Sequence, residues 1–86
     1  MGTKNTNYLK MKKLLLSQLK QGIRAEILKV DCGKNFTGRL CDLGLFEGTN
    51  VTIVKNDHFG PLILKILNSK IALGRGEAAK IYAKEI

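Results

Sequence analysis

Apolar residues recur along this chain in two rhythms. Phe36, Leu40 and Leu43 fall three or four positions apart, so all three can share one buried helical face. Further on, the spacing drops to two: Val51 and Ile53, then Leu62, Leu64 and Ile66, then Ile71 and Leu73 alternate with other residues, as strands with one buried side do. The join between the rhythms is the run Arg39-Leu40-Cys41-Asp42-Leu43-Gly44-Leu45-Phe46-Glu47-Gly48-Thr49. Gly44 stops the helix, because the residue just past a helix end often adopts a left-handed conformation that glycine takes at little cost. Leu45 then folds back onto Leu40 as the apolar clasp of a Schellman cap. Phe46-Glu47-Gly48-Thr49 follows as a turn with glycine third, where a type II turn requires positive φ, and the chain reverses into Val51.

Turn signals cut the rest into short strands. A first strand over 24–31 has Ala25 and Ile27 on one face and Val30 at the opposite parity, which predicts a bulge near Leu28-Lys29. Asn35 or Thr37 is positioned to cap the helix. Residues 51–55 form a second strand and 56–60 a hairpin loop, after which Pro61 opens a third strand over 62–67. Asn68-Ser69 supplies a turn, 71–73 a fourth strand, 75–79 one helical turn, and 80–84 a fifth strand that closes the sheet. Five strands with one inserted helix predict a mainly β fold, a small barrel.

Length and charge narrow the picture. Eighty-six residues make one domain, with little room for a deep cleft. The formal net charge of +8 would suggest nucleic acid if it were spread over the fold. It is not spread. Residues 1–24 carry six basic side chains and no acid, whereas 25–86 carry nine basic and seven acidic, a net +2. The chain therefore divides into a basic, poorly ordered leader over 1–13 and a folded domain over 14–86. The leader reads either as a solvated tail or as an electrostatic contact with anionic lipid. Leu14-Leu15-Leu16 is too short for a signal peptide core or a spanning helix, so a cytoplasmic location is expected, peripheral at the membrane if the leader binds lipid. Cys32 and Cys41 fit a reducing compartment.

The chemistry-bearing residues form no constellation. Cys32, Cys41, His58, Asp57 and Asp42 are scattered, with one histidine and two cysteines nine apart, so no metal site and no cofactor is expected. Cys41 reads as a small packing residue in the helix and Cys32 as an incidental thiol near a strand end. No nucleophile and base can be paired, so no enzyme is expected. The five aromatics (Tyr8, Phe36, Phe46, Phe59, Tyr82) lie on different elements, which argues against a stacking platform for nucleic acid. Protein binding remains. Leu45 and Phe46 emerge where the chain leaves the helix, the 56–60 loop carries Phe59, Arg75 projects from a sharp turn, and Arg39 is free to pair with an acidic neighbour on its helix or on a partner. The competing reading caps the barrel ends with both phenylalanines.

The central Arg-Leu-x-x-Leu-Gly-Leu run resembles the ferrous iron transport protein A (FeoA) family. The similarity begins at Leu16-Ser17-Gln18-Leu19-Lys20-Gln21-Gly22 and continues through Ala25 and Ile27. It resumes at Gly60-Pro61-Leu62 and ends with Ile71-Ala72-Leu73-Gly74-Arg75, Ala78, Ile81 and Ala83. Glu47 stands where that family often has proline, and Cys41-Asp42 replaces a leucine or isoleucine followed by glutamate. The resemblance implies an SH3-like barrel and a non-enzymatic accessory protein of ferrous iron uptake. Its implied partner is FeoB, a membrane transporter with a cytosolic GTP-binding domain, toward which Arg39 and Arg75 are candidate arginines supplied in trans. A different expectation is a stand-alone regulatory module like the SH3-like domain ending DtxR-type metal-dependent repressors. Strand edges leave self-association into a homo-oligomer open.

Overall fold

The computed structural model describes residues 13–57 and 59–86. The leader expected over 1–13, except Lys13, lies outside the described residues, as does His58.

The alternating apolar positions become strands where expected, with one addition. In chain order the elements are β1 (Leu14–Leu15), a 3-10 turn (Leu16–Gln18), β2 (Arg24–Val30), α1 (Lys34–Asp42), β3 (Asn50–Lys55), β4 (Leu62–Ile66), β5 (Ser69–Leu73), the short helical turn α2 (Arg75–Ala78) and β6 (Ile81–Glu85). All pairings are antiparallel, in the spatial order β1-β6-β2-β3-β4-β5. Among the described residues the strands number six where five were expected. The extra one is a two-residue strand whose Leu14 and Leu15 pair with Ala83 and Tyr82. The mainly β, SH3-like fold is as expected, but among the described residues no hydrogen-bonded ladder joins β1 to β5, so the small barrel is an open one.

Side chains of one parity from every long strand meet in a single core. Ala25, Ile27, Val51, Ile53, Leu62, Leu64, Ile71, Leu73, Ile81 and Ala83 are all buried, joined by Leu16, Leu19, Leu40, Leu45, Ile66 and Ala78, and no polar side chain is buried with them among the described residues. With so little helix to cover it, a sheet can bury one face this fully only by wrapping round on itself. Two bulges supply the bend. The β2–β6 register shifts between Ile27 and Lys29, as the parity break at Val30 predicts, and the β3–β4 register shifts between Ile53 and Lys55. The second was hidden in the sequence, because Val51, Ile53 and Val54 are apolar at both parities.

Helix α1 ends as its sequence says. Gly44 sits at φ 98°, its N–H donates to Cys41 O at 2.9 Å, and the Leu45 N–H donates to Leu40 O at 2.8 Å. These are the two bonds of a Schellman motif, and both leucines are buried. The start differs from expectation. The helix is entered from Gly33 at φ 84° with no side-chain cap, so neither Asn35 nor Thr37 performs that role. Leu43, assigned by spacing to the buried face, is 57% exposed, because it is the C-cap residue where the helix runs past the sheet.

Candidate docking surface

The helix exit and the β4–β5 turn come together to form an apolar cleft of about 550 Å³. Leu43, Phe46 and Leu67 stand around it, with Ile66, Gly44 and Thr49 beneath. Phe46 is 49% exposed and Leu67 87%. The same phenylalanine borders a second hollow of about 390 Å³ beside Val30, Thr37 and Cys41. A large ring that serves two concavities is well placed to anchor a partner.

Local geometry fixes the backbone that carries that ring. The Thr49 N–H donates to Phe46 O at 3.0 Å across the turn, with Gly48 at φ 92° in third position as predicted. Thr49 Oγ1 donates to Gly44 O at 3.1 Å and accepts the Phe46 N–H at 3.2 Å, which ties the helix stop to the turn. The turn is moored to β2 by Gly48 N–H to Ile27 O and Ile27 N–H to Thr49 O, each 2.8 Å. A backbone ordered in advance loses less entropy when a partner binds. Across the cleft, Leu67 takes φ 45°, a left-handed conformation that costs a bulky residue about 1–3 kcal/mol and is held by the flanking Ile66–Ser69 pair.

The other residues singled out in the sequence divide sharply. Leu45 is wholly buried by the Schellman fold-back, so its expected place on the contact surface is corrected. Arg39 is exposed, one helical turn before Leu43, and makes no ion pair among the described residues. Phe59 is 86% exposed but lies on the loop before β4, whereas Phe46 faces the turn after it, so the two aromatics occupy opposite ends of that strand. Arg75 does not project outward. Its Nε donates to Gly60 O at 3.1 Å and its Nη1 to Asn56 Oδ1 at 2.6 Å, while Asn56 Nδ2 donates to Ser17 O at 3.1 Å and also to Leu19 O. This network ties the β3–β4 loop to α2 and to the 3-10 turn. Leu43 and Leu67 were missed, the first because helical spacing placed it inside, the second because it read as the continuation of an apolar strand.

Reactive groups do not converge here. Cys41 is exposed on α1, so its expected packing role is corrected. Cys32 is partly buried against the core, with its thiol 3.5 Å from Glu77 O. Burial, then the Glu77 carboxylate, pushes that thiol's pKa up, with Lys80 opposing. Among the described residues no three His, Cys, Asp or Glu side chains gather where they could hold a metal ion, and no helix is long and apolar enough to cross a membrane.

Comparison with known proteins places these features among relatives. The FeoA domain family matches residues 14–85. A protein of Methanocaldococcus jannaschii named "Putative Fe(2+) transport protein A" is 33% identical over 70 residues, covering 81% of this chain and 84% of its own. The solution structure of the FeoA protein from Chlorobium tepidum superposes with a TM-score of 0.79 at 28% identity, over 85% of this chain and 70% of that one. A manganese-dependent transcriptional repressor shares the fold alone, with a TM-score of 0.76 at 14% identity, over 86% of this chain and 42% of the repressor.

Proposed function

The chain belongs to the FeoA domain family, and so to ferrous iron transport; from that premise we propose that it is an accessory protein that docks on a FeoB-like transporter and modulates its activity. The apolar cleft at the helix exit carries this reading. Leu43, Phe46 and Leu67 present exposed apolar surface on a backbone held by turn and cap hydrogen bonds, and a clustered apolar patch with an aromatic at its centre is the usual form of a protein-binding hot spot. Arg39, exposed one helical turn before Leu43, adds a cation on the helix that leads to the cleft. Of the two candidate arginines it is the one free to approach a GTP-binding domain in trans, since Arg75 is committed to Gly60 and Asn56. Docking on the transporter's cytosolic part places the protein at the cytoplasmic face of the membrane.

Affinity capture of the transporter from detergent-solubilised membranes tests the proposal. The wild-type chain is expected to retain a FeoB-like transporter, and Phe46→Ala to lose it with the fold intact. A transporter that fails to bind the wild-type chain refutes docking; binding without any change in GTP turnover removes the hydrolytic form of modulation.

The repressor's shared fold supports a second reading, a regulatory module acting within a transcription complex. Under it, the chain would alter the mobility of a repressor–operator complex in a gel shift and would ignore the transporter.

A further inference from the structure

The open side of the sheet carries a pattern unrelated to the cleft. Register places Arg24 opposite Thr52, Thr52 opposite Lys65 and Lys65 opposite Lys70, so these four side chains form one continuous row on the outer face across β2, β3, β4 and β5. Three of the four are cations, and none takes an ion pair among the described residues. A shallow depression of about 300 Å³ runs along the row between Arg24, Thr52, Lys65 and Leu67. Lys65 and Lys70 are direct cross-strand neighbours. The two-residue turn makes Ile66–Ser69 a hydrogen-bonded pair, so Lys65–Lys70 is a non-hydrogen-bonded pair, the kind with the closest side chains, where like charges repel most.

The same parity decides what the edge offers. Because Ser69, Ile71 and Leu73 direct their backbone groups toward β4, Lys70 and Ala72 direct their N–H and C=O groups away from the sheet. β5 is an edge strand, and among the described residues no backbone hydrogen bond from another element reaches Lys70 or Ala72. The row of cations therefore ends on an unpaired strand edge.

We propose that β5 accepts an added β-strand from an acidic, extended segment of a partner protein, whose carboxylates extend the Arg24–Thr52–Lys65–Lys70 row. Backbone hydrogen bonds to Lys70 and Ala72 supply the pairing, and charge supplies the choice of partner. A carboxylate opposite Lys70 lies about 4.5–5.5 Å away between Cβ atoms, and it relieves the Lys65–Lys70 repulsion that the free sheet carries. The same charge disfavours a second copy, since antiparallel edge-to-edge pairing of two β5 strands would set their Lys70 side chains opposite or diagonal to each other.

The test uses three end-blocked heptapeptides added to the full chain: one alternating glutamate with valine, one alternating lysine with valine, and one alternating glutamate with proline, which cannot donate ladder hydrogen bonds. Binding is read by fluorescence anisotropy, and amide exchange at Lys70 and Ala72 by NMR. The glutamate–valine peptide is expected to bind at least tenfold more tightly than the other two, to slow exchange at both amides, and to weaken with salt. Lys70→Glu should reduce its affinity at least tenfold, as should Ala72→Pro, which removes an edge donor. Phe46→Ala, which breaks the proposed transporter contact, should leave it unchanged, so the two proposals fail separately. Equal affinity for the two valine peptides overturns the inference. So does protection of Lys70 and Ala72 without peptide, whether by a second copy or by the chain's own leading residues, and so does tighter binding of a single-stranded oligonucleotide or of anionic vesicles at the same row.

Discussion

The two ends of β4 put opposite residue types to opposite uses. At its start, the cation and amide of Arg75 and Asn56 turn inward and stitch three segments together. At its finish, the apolar Leu43, Phe46 and Leu67 turn outward around a cleft, over a turn whose own hydrogen bonds are satisfied. One end spends polar chemistry on holding the fold; the other holds its backbone so firmly that apolar side chains can stay exposed. An arginine on a sharp turn and a phenylalanine on a turn look equally available in the sequence, and only the long-range partners separate them.

Substitutions should break this contrast in a graded order. Leu45→Ala strikes the shared foundation, because it empties a fully buried site beneath the helix stop. It should lower unfolding free energy by about 2–5 kcal/mol in denaturant titration. Asn56→Ala removes the hub of the polar end and takes a partner from the part-buried Ser17 and Leu19 carbonyls and from Arg75 Nη1, for a loss of about 1–3 kcal/mol. Retention of the transporter by the surviving folded fraction should be unaffected. Gly44→Ala tests the cap alone: an added Cβ would meet Ile66 Cγ2 at 3.9 Å, an ordinary contact, so the cost is the left-handed backbone, about 1–2 kcal/mol. Phe46→Ala should change stability least, within about 0.5 kcal/mol as an exposed site, while removing binding.

The cysteines give a check outside the contrast. Iodoacetamide should modify exposed Cys41 before Cys32, whose thiol is held protonated by burial and by Glu77. Since the folded pKa of Cys32 is raised, its stabilising share is present below the ordinary thiol pKa and is lost as pH climbs through the raised value. Alkaline unfolding curves of Cys32→Ala should therefore slope less than those of the wild type.

Local signals were legible in the sequence where geometry left only one residue type able to comply. Gly44 and Gly48 announced the helix stop and the turn, and the parity break at Val30 announced the β2 bulge. Leu14 and Leu15 could not announce a strand, because two residues carry no period. Leu43 and Leu45 exchanged their expected places for a single reason: the Schellman fold-back that exposes the cap residue draws the residue beyond Gly44 inside. Of the five expected contact residues, Phe46 lines the cleft and Arg39 is exposed one helical turn before Leu43. Phe59 lies at the far end of β4, Leu45 is in the core, and Arg75 serves the fold. The bonds that decide Arg75 span 15 and 19 positions, beyond anything local spacing conveys.

Photo-cross-linking from the two ends of β4 tests the central claim most directly. A benzophenone group is installed in place of Leu67 in one sample and of Phe59 in another, each incubated with membranes that contain the transporter. Cross-links to the transporter from position 67 and not from position 59 are the predicted result. Equal capture from both ends, or capture from position 59 alone, would contradict the assignment of docking to the apolar cleft.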